Sequence, residues 1–377
     1  MSAPSLFTPL KVGSHTIQNR IGMAALTRSR SSATVPNQVM LDYYVQRAKG
    51  GAGLIVSEAI LVTRLGTEWP RAPGIWEQAQ IDGWKKIVDA VHAAGSKMYA
   101  QLWHVGRVGH PQAPEQIKAG IPVYAPSAIS ARGGKFRFIE GMPGYTTPTE
   151  VPDPTVIIEL FKKAAVNAKQ AGFDGVELHG ANGYLISQFL DSTSNQRTDK
   201  WGGSAENRSR FPLELLRAMQ EVWGQDVAIK ISPAGGYNDM GMPLQETIDT
   251  YGHFLTEVDK MGLAFVAFTR YSDLLDPVFD GKKRATPHDV IETYHPFLKN
   301  TPIWANCGVT PEEAEAYIQS GKVVGVKWGM LWIAHPDLGR RLKEGKPLDN
   351  VLDFVHLYGS EGAEDGVGYT DYKEAEY

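Results

Sequence analysis

GVELHGANGYLISQFLDSTSNQRTDKWGGSAENR, residues 175–208, is the stretch from which the rest of the chain can be read. Gly175 to Leu178 predicts a short buried strand, because apolar residues flank one charge and a glycine opens the run. His179, Asn182 and Tyr184 follow within six positions, expected beyond the strand's carboxyl end. Two neutral hydrogen-bond donors and a phenol thus sit together where the chain changes direction. Such a group can polarise a carbonyl and deliver a proton beside it. Taken singly, the same residues more often satisfy buried backbone groups or pack.

Outward from this stretch a pattern repeats: an apolar run, a polar loop, an amphipathic segment. The apolar runs are Ile21–Leu26, Gly53–Glu58, Met98–Trp103, Gly175–Leu178, Val227–Ser232, Phe265–Thr269, Ile303–Asn306 and Val323–Lys327. Helices are predicted over Asn37–Lys49, Ile81–Ala94, Pro154–Ala171, Phe211–Trp223, Leu244–Met261, Pro287–Leu298, Pro311–Ser320 and His335–Leu342. Thr310-Pro311-Glu312-Glu313 combines an N-cap, a proline in the first turn and a capping-box glutamate. Pro212 predicts that the segment from Ser204 begins as a turn, with the main helix after the proline. Strands alternating with helices imply a parallel sheet, and eight such units imply a closed (β/α)8 TIM barrel. An open doubly wound sheet competes, but no GxGxxG follows the first strand, and Gly50-Gly51-Ala52-Gly53 precedes a strand. No weak link divides residues 1–377, so one domain is expected, with the Pro- and Gly-rich excursion of about 107–150 after the third strand forming a cap or lid.

Composition bounds the function. With 42% hydrophobic and 21% charged residues the chain can bury a substantial core. A net charge of −4 without a basic block argues against nucleic acid as a partner. The single cysteine, Cys307, excludes an internal disulfide and a multi-cysteine metal site. Met1–Lys11 lacks the features of a signal peptide and no run reaches membrane-spanning length, so a cytoplasmic enzyme without membrane association is expected.

In a barrel, side chains at strand ends converge on one mouth. Thr27, Gln101, His179, Asn182 and Lys230 all fall at or near such ends, a polar ring suited to a flat heterocycle carrying donors and acceptors. Lys230 also permits a different chemistry, since a lysine on a barrel strand can form a Schiff base, as in an aldolase. No HExxH or GxSxG is present.

HGANGYLISQFL followed by DSTSNQRTDKWGGSAENRSRF resembles the signature of the Old Yellow Enzyme family of flavin-dependent ene reductases. IQNRIGMAALTRSR (17–30), QLWH (101–104) and VGYTDY (367–372) extend the resemblance over nearly the whole chain. It implies FMN as cofactor and NADPH or NADH as reductant. It also implies small-molecule substrates (enones, enals, nitroalkenes) and a monomer or homodimer. The resemblance would place FMN against Ala25, Leu26, Thr27, Ala59, Gln101, His179 and Lys230. The phosphate would lie near Cys307, Gly308, Gly329 and Met330. His179 and Asn182 would bind the substrate oxygen and Tyr184 would donate the proton, with Trp103, Tyr271 and Tyr369 shaping the pocket. Three positions depart from the family: Lys230 and Met330 stand where arginine is usual, and Cys307 where glycine is. Either Lys327 or backbone amides would then offset the phosphate charge. Flavin-dependent demethylation or dehydrogenation is a neighbouring activity that the same ring supports.

Overall fold

The computed structural model describes residues 5–136, 138–139, 144–359 and 365–377. Residues 137 and 140–143 of the expected cap lie outside the described residues. Eight parallel strands close into a barrel: β1 (Ile21–Met23), β2 (Leu54–Val56), β3 (Lys97–Trp103), β4 (Gly175–Gly180), β5 (Val227–Ile231), β6 (Phe265–Thr269), β7 (Ile303–Asn306) and β8 (Gly325–Trp328). Each strand pairs with the next, and β8 pairs with β1 through Val326↔Ile21 and Trp328↔Met23, which closes the ring. The expected TIM barrel is therefore the fold.

Alternation along the strands sorts the side chains. On β4, Val176 and Leu178 join the outer core against the helices, while Glu177 and His179 face the barrel interior. The lowest interior layer is aromatic. Phe265 lies 5.8 Å from Tyr99 and 5.8 Å from Trp304. The hairpin Leu10–Val12 and His15–Ile17 closes this end with Val12 and Ile17. Above the aromatic layer the interior turns polar, with Gln101, Glu177 and Lys327, and then opens at the carboxyl ends of the strands.

The outer ring comprises α1 (Gln38–Lys49), α2 (Gln78–Ala93), α3 (Thr155–Gln170), α4 (Ala205–Trp223), α5 (Leu244–Asp259), α6 (Val290–Tyr294), α7 (Pro311–Ser320) and α8 (Leu338–Glu344). The α7 capping box forms as read: Thr310 Oγ1 accepts from the Glu313 N–H at 3.2 Å, and the Glu313 carboxylate accepts from the Thr310 N–H at 2.9 Å. Two expectations are corrected. The segment from Ser204 is helical from Ala205, with Pro212 inside it. Ser204 caps the helix by accepting from the Asn207 N–H, and the buried face from Arg208 through Phe211 to Leu215 and Leu216 continues across the proline. Capping and packing outweigh the one hydrogen bond that proline removes. The helix expected over Pro287–Leu298 shrinks to α6 and a 3-10 turn, His295–Phe297, because Pro296 lacks the N–H that would continue it.

Described residues of the excursion after β3 pack against the loop after β5. Arg107 donates to the Asp239 carbonyl at 2.9 Å, Tyr145 OH to Asn238 Oδ1 at 2.8 Å, and Arg132 pairs with the Asp239 carboxylate at 2.8 Å. The cap is thus tied to the loop after β5. No helix among the described residues is long and apolar enough to cross a membrane.

Candidate active site

β4 extends two residues past the predicted strand, so His179 sits within it, on the interior face opposite Lys230 of β5. The chain then turns sharply. Asn182 and Gly183 adopt left-handed backbone conformations, φ 58° and 70°. Asparagine tolerates this geometry better than most residues. Gly183 is required on two counts, since a Cβ there would lie 2.4 Å from the Tyr237 carbonyl oxygen. The loop after β5 fixes the turn: the Asn182 N–H donates to Ser232 Oγ at 2.8 Å, and its carbonyl accepts from Asn238 at 2.9 Å. Its side-chain amide forms no hydrogen bond with any described residue and remains available.

Tyr184 caps a short buried helix, Leu185–Leu190, that the sequence reading missed. The remainder of the long motif serves to seat that helix. Gln188 donates to the Gly183 and Val105 carbonyls, Asn195 to those of Phe189 and Trp201, and Arg208 to that of Leu190. Asp191 accepts from Thr193 and from the Gly241 N–H. The phenol is thereby set against His179, ring centroids 4.9 Å apart, and against Trp103 at 5.0 Å.

The electrostatics assign the protons. Burial, with the Lys230 charge beside it, holds the His179 imidazole well below its ordinary pKa, so the ring is neutral. Its Nδ1 faces the Ala181 N–H at 3.4 Å, which leaves Nε2 as the protonated nitrogen and a donor. Burial raises the Tyr184 pKa well above 10, so the phenol keeps its proton at any working pH. Lys230 is only 6% exposed and makes no hydrogen bond or ion pair with a described residue. Burial lowers its pKa, while Glu177 and Cys307 oppose the shift. A buried ammonium with its donors unspent fits a bound ring presenting acceptors or negative charge.

Other expected cofactor positions surround the same mouth. Ala25, Leu26 and Thr27 are partly exposed just past β1, and Leu26 lies against Gly329 at the end of β8. Ala59 shares an apolar cluster with Trp103 and Tyr184. Gln101 is buried on β3, its amide donating to Glu177 at 2.8 Å. Cys307 (φ 74°), Gly308 and Met330 border the β7 and β8 loops, Met330 being 46% exposed.

One expectation fails, and one of two alternatives for the phosphate closes. Tyr369 does not shape the pocket: it is fully buried, stacked on Tyr43 at 4.0 Å, with Arg30 and Arg28 over its ring. Tyr271 is drawn into the β6 loop, where its hydroxyl bonds Asp276 and Asp273. Lys327 cannot reach a phosphate, because its ammonium is bonded to Glu177 inside the barrel. Tyr358 takes the place expected of Tyr369. Its ring lies 5.7 Å from Trp69, which lies 6.1 Å from Trp103. A cleft of about 290 Å³ opens between Arg132–Lys135 and Tyr145 on one side and the loops carrying Tyr237 and Leu274 on the other. No periodicity marks Tyr358, which stands in an irregular stretch.

A parallel barrel with this donor set at its carboxyl-end mouth suits a flavin-dependent oxidoreductase, the class to which its relatives assign it. The family model described as NADH:flavin oxidoreductase / NADH oxidase matches residues 5–349. The NADP-dependent oxidoreductase lnbE of Aspergillus flavus is 38% identical, covering 97% of this chain and 95% of the relative. Morphinone reductase superposes with a TM-score of 0.86 at 37% identity, over 99% of this chain and 97% of the other. The old yellow enzyme from Trypanosoma cruzi gives 0.87 at 31%, over 99% of each chain. The chain belongs to the Old Yellow Enzyme family.

Proposed function

We propose that the protein is an FMN-dependent ene reductase that takes reducing equivalents from NADPH or NADH and reduces the activated C=C bond of enones, enals or nitroalkenes. The observation that carries this reading is the neutral, buried His179, its Nδ1 facing the Ala181 N–H and its Nε2–H unspent, held against a protonated Tyr184. When bound, FMN would supply the hydride chemistry needed at the β-carbon of the substrate. Lys230, Gln101 and Ala25–Thr27 are the residues that would hold its ring.

His179 and the Asn182 amide donate to the substrate's carbonyl or nitro oxygen. Negative charge grows on that oxygen as the β-carbon is reduced, so donors already in place stabilise the transition state more than the ground state. Tyr184 then protonates the α-carbon. The wall of Trp103, Trp69 and Tyr358 excludes water from the reacting atoms. A Lys230 Schiff base is not favoured, since the family carries flavin redox chemistry.

The purified protein should be yellow, bleach anaerobically with NADPH and recover its colour with cyclohexenone. A colourless protein that binds no added FMN would refute this reading.

A further inference from the structure

Beneath the mouth, the barrel interior holds three charged groups. Glu177 is completely buried, and both its oxygens are engaged: Oε1 accepts from Gln101 Nε2 at 2.8 Å and Oε2 from Lys327 Nζ. Lys327 is 1% exposed and lies 4.4 Å above the Phe265 ring. Its stem packs so closely on the neighbouring strand that a Cβ on its register partner Gly22 would fall 2.5 Å from Lys327 Cγ. Lys230, on the strand next to Glu177, is within reach of its charge but forms no ion pair with it.

We infer that Lys327 is a positioning residue: by occupying Glu177 it keeps that carboxylate from Lys230, leaving the Lys230 ammonium and the Gln101 carbonyl oxygen directed at the flavin. The inference rests on the reading that the mouth binds FMN. Glu177 has acceptors only, so it fixes the Gln101 amide with its NH2 inward and its oxygen outward. The charges of Lys230, Glu177 and Lys327 sum to one positive unit. In a low-dielectric interior that charge favours reduced, anionic flavin over oxidised flavin. Without Lys327, Glu177 would turn to Lys230, and that bias would be lost. The short barrel strand thus carries a redox control one layer below the groups that touch substrate.

The test is the midpoint potential of bound FMN at pH 7 in the wild type, Lys327→Met, Glu177→Gln and the double variant. Lys327→Met should weaken the preference for reduced flavin about tenfold, a fall of about 30 mV for a two-electron couple. Glu177→Gln should move the potential upward, and the double variant, which restores the charge sum, should return it to near the wild-type value. A role in folding alone predicts no such reversal. If Lys327→Met binds FMN with an unchanged potential, or the double variant is the lowest of the four, the inference fails and FMN binding stands. If the wild type binds no FMN, the proposed cofactor and this inference fail together.

Discussion

The Tyr184 ring stands edge-on to the His179 imidazole, with centroids 4.9 Å apart and planes at 71°. One residue is on a barrel strand and the other caps a helix, and only four residues separate them. Two left-handed positions, Asn182 and Gly183, fold the chain back so that both side chains meet. The proposed oxygen-binding donor and proton donor are therefore positioned by a single turn.

Replacing Tyr184 by Phe removes the proton and leaves the ring packing against Trp103 and His179. Protonation should slow by about 10²–10⁴, the usual worth of a placed acid, while reduction of the enzyme by NADPH continues at nearly its normal rate. His179→Ala, which removes an oxygen donor, should cost about 10²–10³ in substrate reduction. Stopped-flow measurement of the two half-reactions separates these effects. Equal losses in both half-reactions for Tyr184→Phe would assign Tyr184 to structure.

Gly183→Ala tests the turn itself. The substitution demands a left-handed alanine, costing roughly 1–2 kcal/mol, and a Cβ 2.4 Å from the Tyr237 oxygen. Urea unfolding should show at least that loss, and the surviving enzyme should reduce substrate poorly because Asn182 and Tyr184 are displaced. Wild-type stability in this variant would show that the loop after β5 gives way freely.

Much of this arrangement was legible in the sequence, for definable reasons. Alternation on β4 marks which residues face inward, and the Thr310 capping signal is local, so both survive folding unchanged. Tyr369 and Tyr358 show where local reading stops. Both are tyrosines in a C-terminal segment with no strand among its described residues. Which one reaches the mouth is settled by Arg28, Arg30 and Arg47, whose guanidinium groups grip carbonyls of Leu357, His356, Gly368 and Tyr369. Such long-range bonds leave no periodic trace. The choice between Lys327 and backbone amides stayed open for a related reason: the partner of Lys327, Glu177, is 150 residues away, and only barrel closure brings them together.

Acid should destabilise the fold through its buried histidines. Burial lowers His104 to about 3 and puts His179 well below its ordinary value. The unfolded chain, with pKa near 6.5, therefore binds more protons than the native state as pH falls. Stability contributed by each group is complete above pH 6.5 and is lost below it, at about 1.4 kcal/mol per pH unit, down to pH 3 for His104. Glu58, raised to about 7 by burial, acts in the opposite sense between its unfolded and folded values. The histidine contribution is isolated by comparing urea midpoints of wild type and His104→Gln from pH 7 to 5. The variant should show the shallower slope, and identical slopes would mean that His104 titrates normally in the native state.

Met330 is exposed at the start of the helix Met330–Ala334, where the proposed FMN phosphate would approach the β8 loop. With Lys327 bound to Glu177, no cation from this strand is free to meet the phosphate, which leaves backbone N–H groups of the β7 and β8 loops as the proposed contacts. A phosphate bound by amides alone lacks the opposite formal charge and the bidentate fork that arginine supplies. Met330→Arg should therefore slow FMN loss on dilution, without altering the Tyr184-dependent protonation rate, because position 330 lies on a different strand end from His179 and Tyr184. Fluorescence of released FMN follows this directly. Equal release from the two proteins would move the phosphate away from the β8 loop and leave the ring-binding residues as the main source of FMN affinity.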